Sequence, residues 1–348
     1  VIDRRQFLRR TGMGAGALAM LGPAGLLAAC GSDEAATPAA SGTGSATSGS
    51  APATLTPLRM QSAWVSDAEF MGYYIALDKG YYSAAGLDYT YLPGGPDVIP
   101  ETTLLAGQAE VALTTVEGVA KLVADEGAKL KIIGTQYQKN PAGVVSLKAN
   151  NITEPKDLIG RTLAIAPVGQ ITFEALFAAN NLDIADVTIV PYAYDPTPLL
   201  EGEIDASGDF VTNVPFTIQE KGGDPTSFLL YDYGLKLYND AVVVQEEYLA
   251  EHRAELVSFL RASRQGWDEN FKDTTAYIPL LKEGFGKDTG RSAANEEYFN
   301  KAQQDLIEHP DGVYAMTADD IDANIETLQR FGIQVDASLF DTSLLEEI

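Results

Sequence analysis

Trp64 closes an apolar run and is followed by Ser66-Asp67, a pair suited to capping a helix. An indole at a strand end can stack on a flat ligand, an interaction of roughly 0.5–1.5 kcal/mol beyond burial. Phe70, Tyr73 and Tyr74 come next at helical spacing, which fits a core as well as a ligand platform. Thr114-Thr115 and Thr212-Asn213 each open a helical run. Their side chains can cap the helix, and the free backbone N–H groups there can donate to a ligand oxygen. Pro167-Val168-Gly169-Gln170, with Thr172 behind it, opens another helix, where glycine lets a ligand approach the backbone. Gln136, Tyr137 and Gln138 end a strand with two amides and a phenol; amides donate and accept, so they suit a heterocycle edge or a solvated loop. Tyr233 stands at one more junction of this kind. Lys139 is the one basic residue in these stretches. An anion receptor is expected to supply arginine or more lysine, so the pattern points to a neutral or weakly cationic, aromatic ligand.

Other chemistries find little to work with. The two histidines, His252 and His309, fall at helix ends away from those junctions, which argues against histidine catalysis and a histidine metal site. The single cysteine, Cys30, allows no internal disulfide and no thiolate cage. We therefore expect no catalytic residue, no metal and no cofactor. Lys and Arg total 24 against 49 Asp and Glu, a net charge of -25, so a phosphate backbone would be repelled and nucleic acid is not an expected partner.

The N-terminus reads as an address. Asp3-Arg4-Arg5-Gln6-Phe7-Leu8-Arg9 resembles the twin-arginine export signature, with Asp where Ser or Thr is usual and Arg in place of a closing Lys. An uncharged Gly- and Ala-rich run, Gly12–Ala29, follows and suits a cleaved signal better than a membrane span. It ends Leu27-Ala28-Ala29-Cys30, which resembles the bacterial lipobox and implies that Cys30 becomes a lipid-bearing N-terminus. Residues 1–29 are thus expected to be a signal peptide and 30–57, rich in Ala, Ser, Gly, Thr and Pro, a disordered tether.

The elements that must position the junction residues form a repeat. Leu104-Leu105-Ala106-Gly107-Gln108-Ala109-Glu110-Val111-Ala112 is echoed 95 residues later by Leu199-Leu200-Glu201-Gly202-Glu203-Ile204-Asp205-Ala206-Ser207. Each reads as a helix end, a left-handed glycine stop and a short strand. Strands are expected at 58–64, 87–92, 111–114, 131–136, 162–166, 187–190 and 205–210, with helices between them, a βαβ pattern that implies parallel sheets. Beyond Leu58 the chain exceeds the roughly 250 residues at which single cores tend to split, so two α/β lobes are expected around a central ligand cleft. The valine-rich runs 144–148 and 241–245 read as the two interlobe crossings. Lobe 1 would then comprise 58–145 and the mainly helical 241–348, and lobe 2 would comprise 146–240.

From Trp64 to about Ile333 the chain resembles the binding proteins for thiamine-pyrimidine precursors and their relatives. The matching residues include Glu69-Phe70-Met71-Gly72-Tyr73-Tyr74, Lys79-Gly80-Tyr81-Tyr82, Ala85-Gly86-Leu87-Asp88, Pro93-Gly94-Gly95-Pro96, Gln138, Pro155-Lys156-Asp157-Leu158-Ile159-Gly160, Gly202-Glu203-Ile204-Asp205-Ala206 and Asp232-Tyr233-Gly234. The resemblance implies a periplasmic-binding-protein-like fold with two crossings and an extracytoplasmic, lipid-anchored monomer. It also implies ABC permease and ATPase partners and capture of a small heterocycle, first a thiamine pyrimidine precursor. Relatives that bind riboflavin, sulfonates or nitrate define the alternatives. Fungal pyrimidine synthases belong to the same group, but Thr114 and Gly118 stand where they carry a lysine and a histidine, so no enzyme activity is expected. Asn213-Val214-Pro215 departs from the Asn-Glu-Pro of many transport relatives.

Overall fold

The computed structural model describes residues 54–348 other than 96, 167, 168 and 193. Arg4, Arg5, Cys30 and the tether through residue 53 lie outside the described residues. Residues 52–348 make one compact unit, and among the described residues no helix is long and apolar enough to cross a membrane.

Ten strands form two five-stranded sheets. They are β1 Thr56–Gln61, β2 Leu87–Leu92, β3 Val111–Thr114, β4 Leu130–Tyr137, β5 Ala142–Leu147, β6 Thr162–Ile165, β7 Thr188–Pro191, β8 Ala206–Phe210, β9 Pro225–Leu229 and β10 Asn239–Gln245. The first sheet has the order β2-β1-β3-β10-β4 and the second β7-β6-β8-β5-β9. The two orders correspond strand for strand. In each, the strand beside the central one is antiparallel and comes from chain that has just left the other sheet: β10 in the first, β5 in the second. The expected repeat is thus structural as well: Gly107 and Gly202, with φ of 67° and 77°, end matching helices before β3 and β8.

The crossings need correction. Val144–Lys148 and Ala241–Gln245 do not run between the sheets. They belong to β5 and β10, inside the sheets, which is why both are apolar on both faces. The chain changes sheet in the short stretches 138–141 and 230–238. Strand β9 was not foreseen. Gly222-Gly223-Asp224-Pro225 reads as a turn, yet Pro225 is tolerated as the first residue of an edge strand because nothing requires its missing N–H. In the helical tail a short helix starts at Ile278, with Pro279 in its first turn, and passes into a wider π-turn at Leu281–Phe285.

The C-terminal tail covers the first sheet. Its long helix Arg253–Lys272 crosses helix Met71–Asp78 at backbone distance: a Cβ on Gly266 would lie 1.9 Å from the Gly72 carbonyl oxygen. Only glycine at that position allows the crossing. Trp267, Phe259, Tyr73 and Tyr82 fill the core around it. Helix Ala318–Arg330 instead secures the second crossing, where Asn324 Oδ1 accepts from Tyr238 N at 2.8 Å and Arg330 donates to the Gly234 carbonyl at 2.9 Å.

Candidate functional site

The loops that follow the carboxyl ends of β1 and β7 meet, and Trp64 is carried there by a clamped loop. Gly94 N donates to Trp64 O at 2.9 Å and to Ser62 Oγ at 3.0 Å. A Cβ on Gly94 would sit 2.3 Å from Ser62 O, so the two loops touch through bare backbone. The Trp64 ring meets Tyr194, from the loop after β7, edge-on at 5.6 Å. Tyr192 stands 5.6 Å from Tyr194 at 59°. One sheet's loop therefore presents its indole to the other sheet's phenols.

Behind Trp64 the chain turns into a short 3-10 helix, Ala68–Phe70, capped by Asp67, whose Oδ1 accepts from Glu69 N at 3.0 Å. Tail residues hold this turn. Glu296 Oε2 accepts from Ala68 N at 2.9 Å, and Gln303 Nε2 donates to Ala68 O at 2.6 Å. Arg291 Nη2 lies 3.1 Å from the fully buried Asp67 Oδ2. Gln136 bridges Glu69 O at 2.8 Å and Asp240 Oδ2 at 2.9 Å. Asp240 takes a left-handed φ of 49° where β10 begins, which turns its side chain toward the same turn.

Four carboxyl groups thus share one buried region with one guanidinium. Burial pushes Asp67 up to about 6, against the pull of Arg291, and Asp240 up to about 7. Burial and the neighbouring Asp67 push Glu296 up to about 7. Glu69 is driven well above the usual range by burial and by the charges of Asp240 and Asp67. In the second sheet, burial pushes Asp209 up to about 6; its Oδ2 accepts from Ser207 Oγ at 2.6 Å.

The residues singled out from sequence separate into groups. Trp64 and Asp67 lie in this region. Thr212 and Asn213 are buried at the mouth of helix Val214–Glu220, each with a side-chain oxygen that has no partner. Asn295, whose Nδ2 donates to Thr217 Oγ1 at 2.9 Å, joins that helix to the tail beside Glu296. Gly169 has open space where a side chain would be, and Thr172 is half-buried behind it, but Gln170 is exposed and donates to Glu174 at 2.9 Å. Pro167 and Val168 lie outside the described residues.

Others are employed elsewhere. Phe70 is fully buried in the core, and so is Tyr137, whose hydroxyl donates to Gln303 Oε1 at 2.6 Å. Gln138 donates to the carbonyls of Thr135 and Ala315, within the first lobe. Thr114 donates to Glu101 Oε1 at 2.7 Å, and Thr115 caps Gly118 N at 3.2 Å. Tyr233 packs on Phe228 and donates to Thr153 O, on the far side of the second sheet. Lys139 sits over the Tyr231 ring, so the basic group of the site is Arg291 rather than Lys139.

Sequence reasoning passed over Glu69, Asp240, Arg291, Glu296, Tyr192, Tyr194 and Asp209. Tyr192 directly follows β7, so the strand-end rule that selected Trp64 would have found it. Arg291 and Glu296 stand in a helical tail with no local spacing to relate them to Asp67.

The raised carboxyl groups fix a pH dependence. Free carboxyls titrate near 4, so between about pH 4 and 7 the folded state holds more protons than the unfolded chain. Stability therefore falls as pH rises through that window. Asp240→Asn should flatten this fall by at least about 1 kcal/mol in urea unfolding at pH 5 and pH 8. The same pH difference in the variant as in the wild type would contradict the assignment.

The family described as NMT1/THI5 like matches residues 67–275, from Asp67 through both sheets and into the tail. Over 271 residues the chain is 26% identical to the riboflavin-binding protein RibY of Chloroflexus aurantiacus, covering 74% of this chain and 77% of that protein. Over 210 residues it is 22% identical to the formylaminopyrimidine-binding protein of Halalkalibacterium halodurans, covering 59% of this chain and 63% of that protein. Its fold is similar to that of the periplasmic aliphatic sulphonate binding protein SsuA from Escherichia coli. The TM-score is 0.62 at 16% identity, over 80% of this chain and 92% of the other. The architecture is that of the periplasmic binding proteins, and this chain belongs to the NMT1/THI5-like family.

Proposed function

We propose that this protein is the solute-binding subunit of an ABC importer, and that it captures a flat nitrogen heterocycle bearing N–H donors between its two lobes and releases it unchanged. One observation carries the reading: several buried acceptors around the Asp67 turn and helix Val214–Glu220 have no partner. Glu296 Oε1, Gln136 Oε1, Asn213 Oδ1, Asn295 Oδ1 and Thr212 Oγ1 are buried without a partner. Each such atom costs about 1–3 kcal/mol unless a ligand satisfies it. An amino-substituted ring offers the missing hydrogens. A sulfonate or nitrate offers only more acceptors, and the one guanidinium nearby already faces Asp67. Trp64 supplies a flat surface for the ring.

A thiamine pyrimidine precursor is the first candidate, and the name of the Halalkalibacterium relative supports it. A flavin is the second, supported by the name of RibY and by the exposed Tyr194, which leaves that end of the cleft room for a larger ring. Binding without turnover fits the absence of histidine from this region and the Thr114 hydroxyl's engagement with Glu101. Lipid anchoring at Cys30 and twin-arginine-type export through Arg4 and Arg5 would hold the protein at the outer face of the membrane, where it delivers its ligand to a permease driven by an ATPase on the cytoplasmic side.

A micromolar complex needs about 8 kcal/mol, more than one stacked ring supplies, so several polar contacts must converge. Calorimetry against aminopyrimidines, riboflavin, an alkanesulfonate and nitrate is expected to give binding only with the heterocycles. Trp64→Ala should weaken it by roughly 1–3 kcal/mol. Binding of the sulfonate alone, indifferent to Trp64, would reject the reading. For the anchor, Cys30→Ala should move the exported protein from the membrane to the soluble fraction; unchanged membrane retention and processing would refute lipidation.

A further inference from the structure

The second lobe carries a constellation that the acceptor-rich region does not use. Asp209, the penultimate residue of β8, is buried, and no positive charge balances it: the groups acting on it are Ser207 and Tyr192, both neutral. Asp195, in the loop after β7, is already occupied by Lys221 and Thr197. Burial, and after it the nearby Asp209 charge, raises both the Tyr192 and the Tyr194 phenols. Trp64, Tyr194 and Tyr192 follow one another at 5.6 Å spacings, with planes inclined at 62° and 59°, so they stand as adjoining walls rather than as a stack.

Steeply inclined electron-rich rings backed by a buried, uncompensated carboxylate attract a desolvated organic cation through the ring quadrupoles and the carboxylate together. We propose that Tyr192, Tyr194 and Asp209, adjoining Trp64, form a subsite for a positively charged part of the ligand, an alkylated ring nitrogen or a quaternary ammonium. The ligand would then span the cleft, its N–H-bearing ring on the Asp67 side and its cationic part on the Asp209 side. Tyr194 is half exposed and holds a φ of 58°, so one wall of the cage stands at the cleft entrance, where a cation would arrive. The net charge of -25 favours that arrival. The inference rests on the heterocycle reading and adds charge to it.

Two probes separate the claims: thiamine, whose aminopyrimidine is joined to a cationic thiazolium, and 4-amino-5-hydroxymethyl-2-methylpyrimidine, the uncharged half alone. Calorimetry at fixed salt should show thiamine binding at least about tenfold tighter. Asp209→Asn should bring the two probes to within about twofold. Tyr194→Leu, at a half-exposed position that the core does not need, should also reduce the preference for thiamine over the pyrimidine. Equal or tighter binding of the uncharged pyrimidine by the wild type would overturn the cation subsite and leave the heterocycle reading standing. A thiamine preference that survives in both variants would also overturn it. Failure of both probes to bind would remove the subsite and count against the pyrimidine reading as well.

Discussion

The site depends on how one peptide unit is held. Ala68 stands where the chain leaves the first strand and turns into helix, and both its N–H and its carbonyl are taken by buried side chains of the tail, Glu296 and Gln303. Without those partners, two backbone groups would be left dry and unpaired beneath the cleft, at about 1–3 kcal/mol each. The same tail brings Arg291 to Asp67, a positive charge among four buried carboxyls. Residues more than two hundred positions apart therefore build the floor of the cleft together, and the tail is part of the binding apparatus as well as a cover for the first sheet.

The topology gives that floor a counterpart. Each sheet takes its antiparallel strand from chain that has just left the other one, so the two crossings are short and tied into both sheets. Such a connection suits hinge motion, because few residues need to change conformation when the lobes approach. The contacts already spanning the cleft, Trp64 with Tyr194, Asn295 with Thr217 and Ser292 with Glu220, come from both walls, so closing the lobes brings the ligand's faces and edges under control at once.

Much of this architecture was legible in the sequence, because it rests on local signals. Strands β2 and β3 and helix Val116–Glu126 have the expected boundaries: period, a threonine cap and a left-handed glycine, Gly127, mark them directly. The repeat around Gly107 and Gly202 disclosed matching units before any coordinates. The crossings were misread because a doubly buried antiparallel strand and an apolar connector look alike as a run of valines. The site was legible only in part. Trp64 and Asp67 follow from their place in the loop between the first strand and the first helix. Tyr137 and Phe70 occupy equally suggestive places yet face inward, since local spacing does not tell which face of a junction the core will claim. Arg291, Glu296 and Asp240 become neighbours of Asp67 only through tertiary packing, which no motif records.

Native mass spectrometry of the protein purified from its own cells, with no ligand added, tests the central claim most directly. The account predicts a co-purifying small heterocycle with exchangeable N–H groups, released with unchanged mass after denaturation or repeated exchange. A bound sulfonate or other donor-free anion, or a released product chemically different from the molecule that was captured, would contradict it.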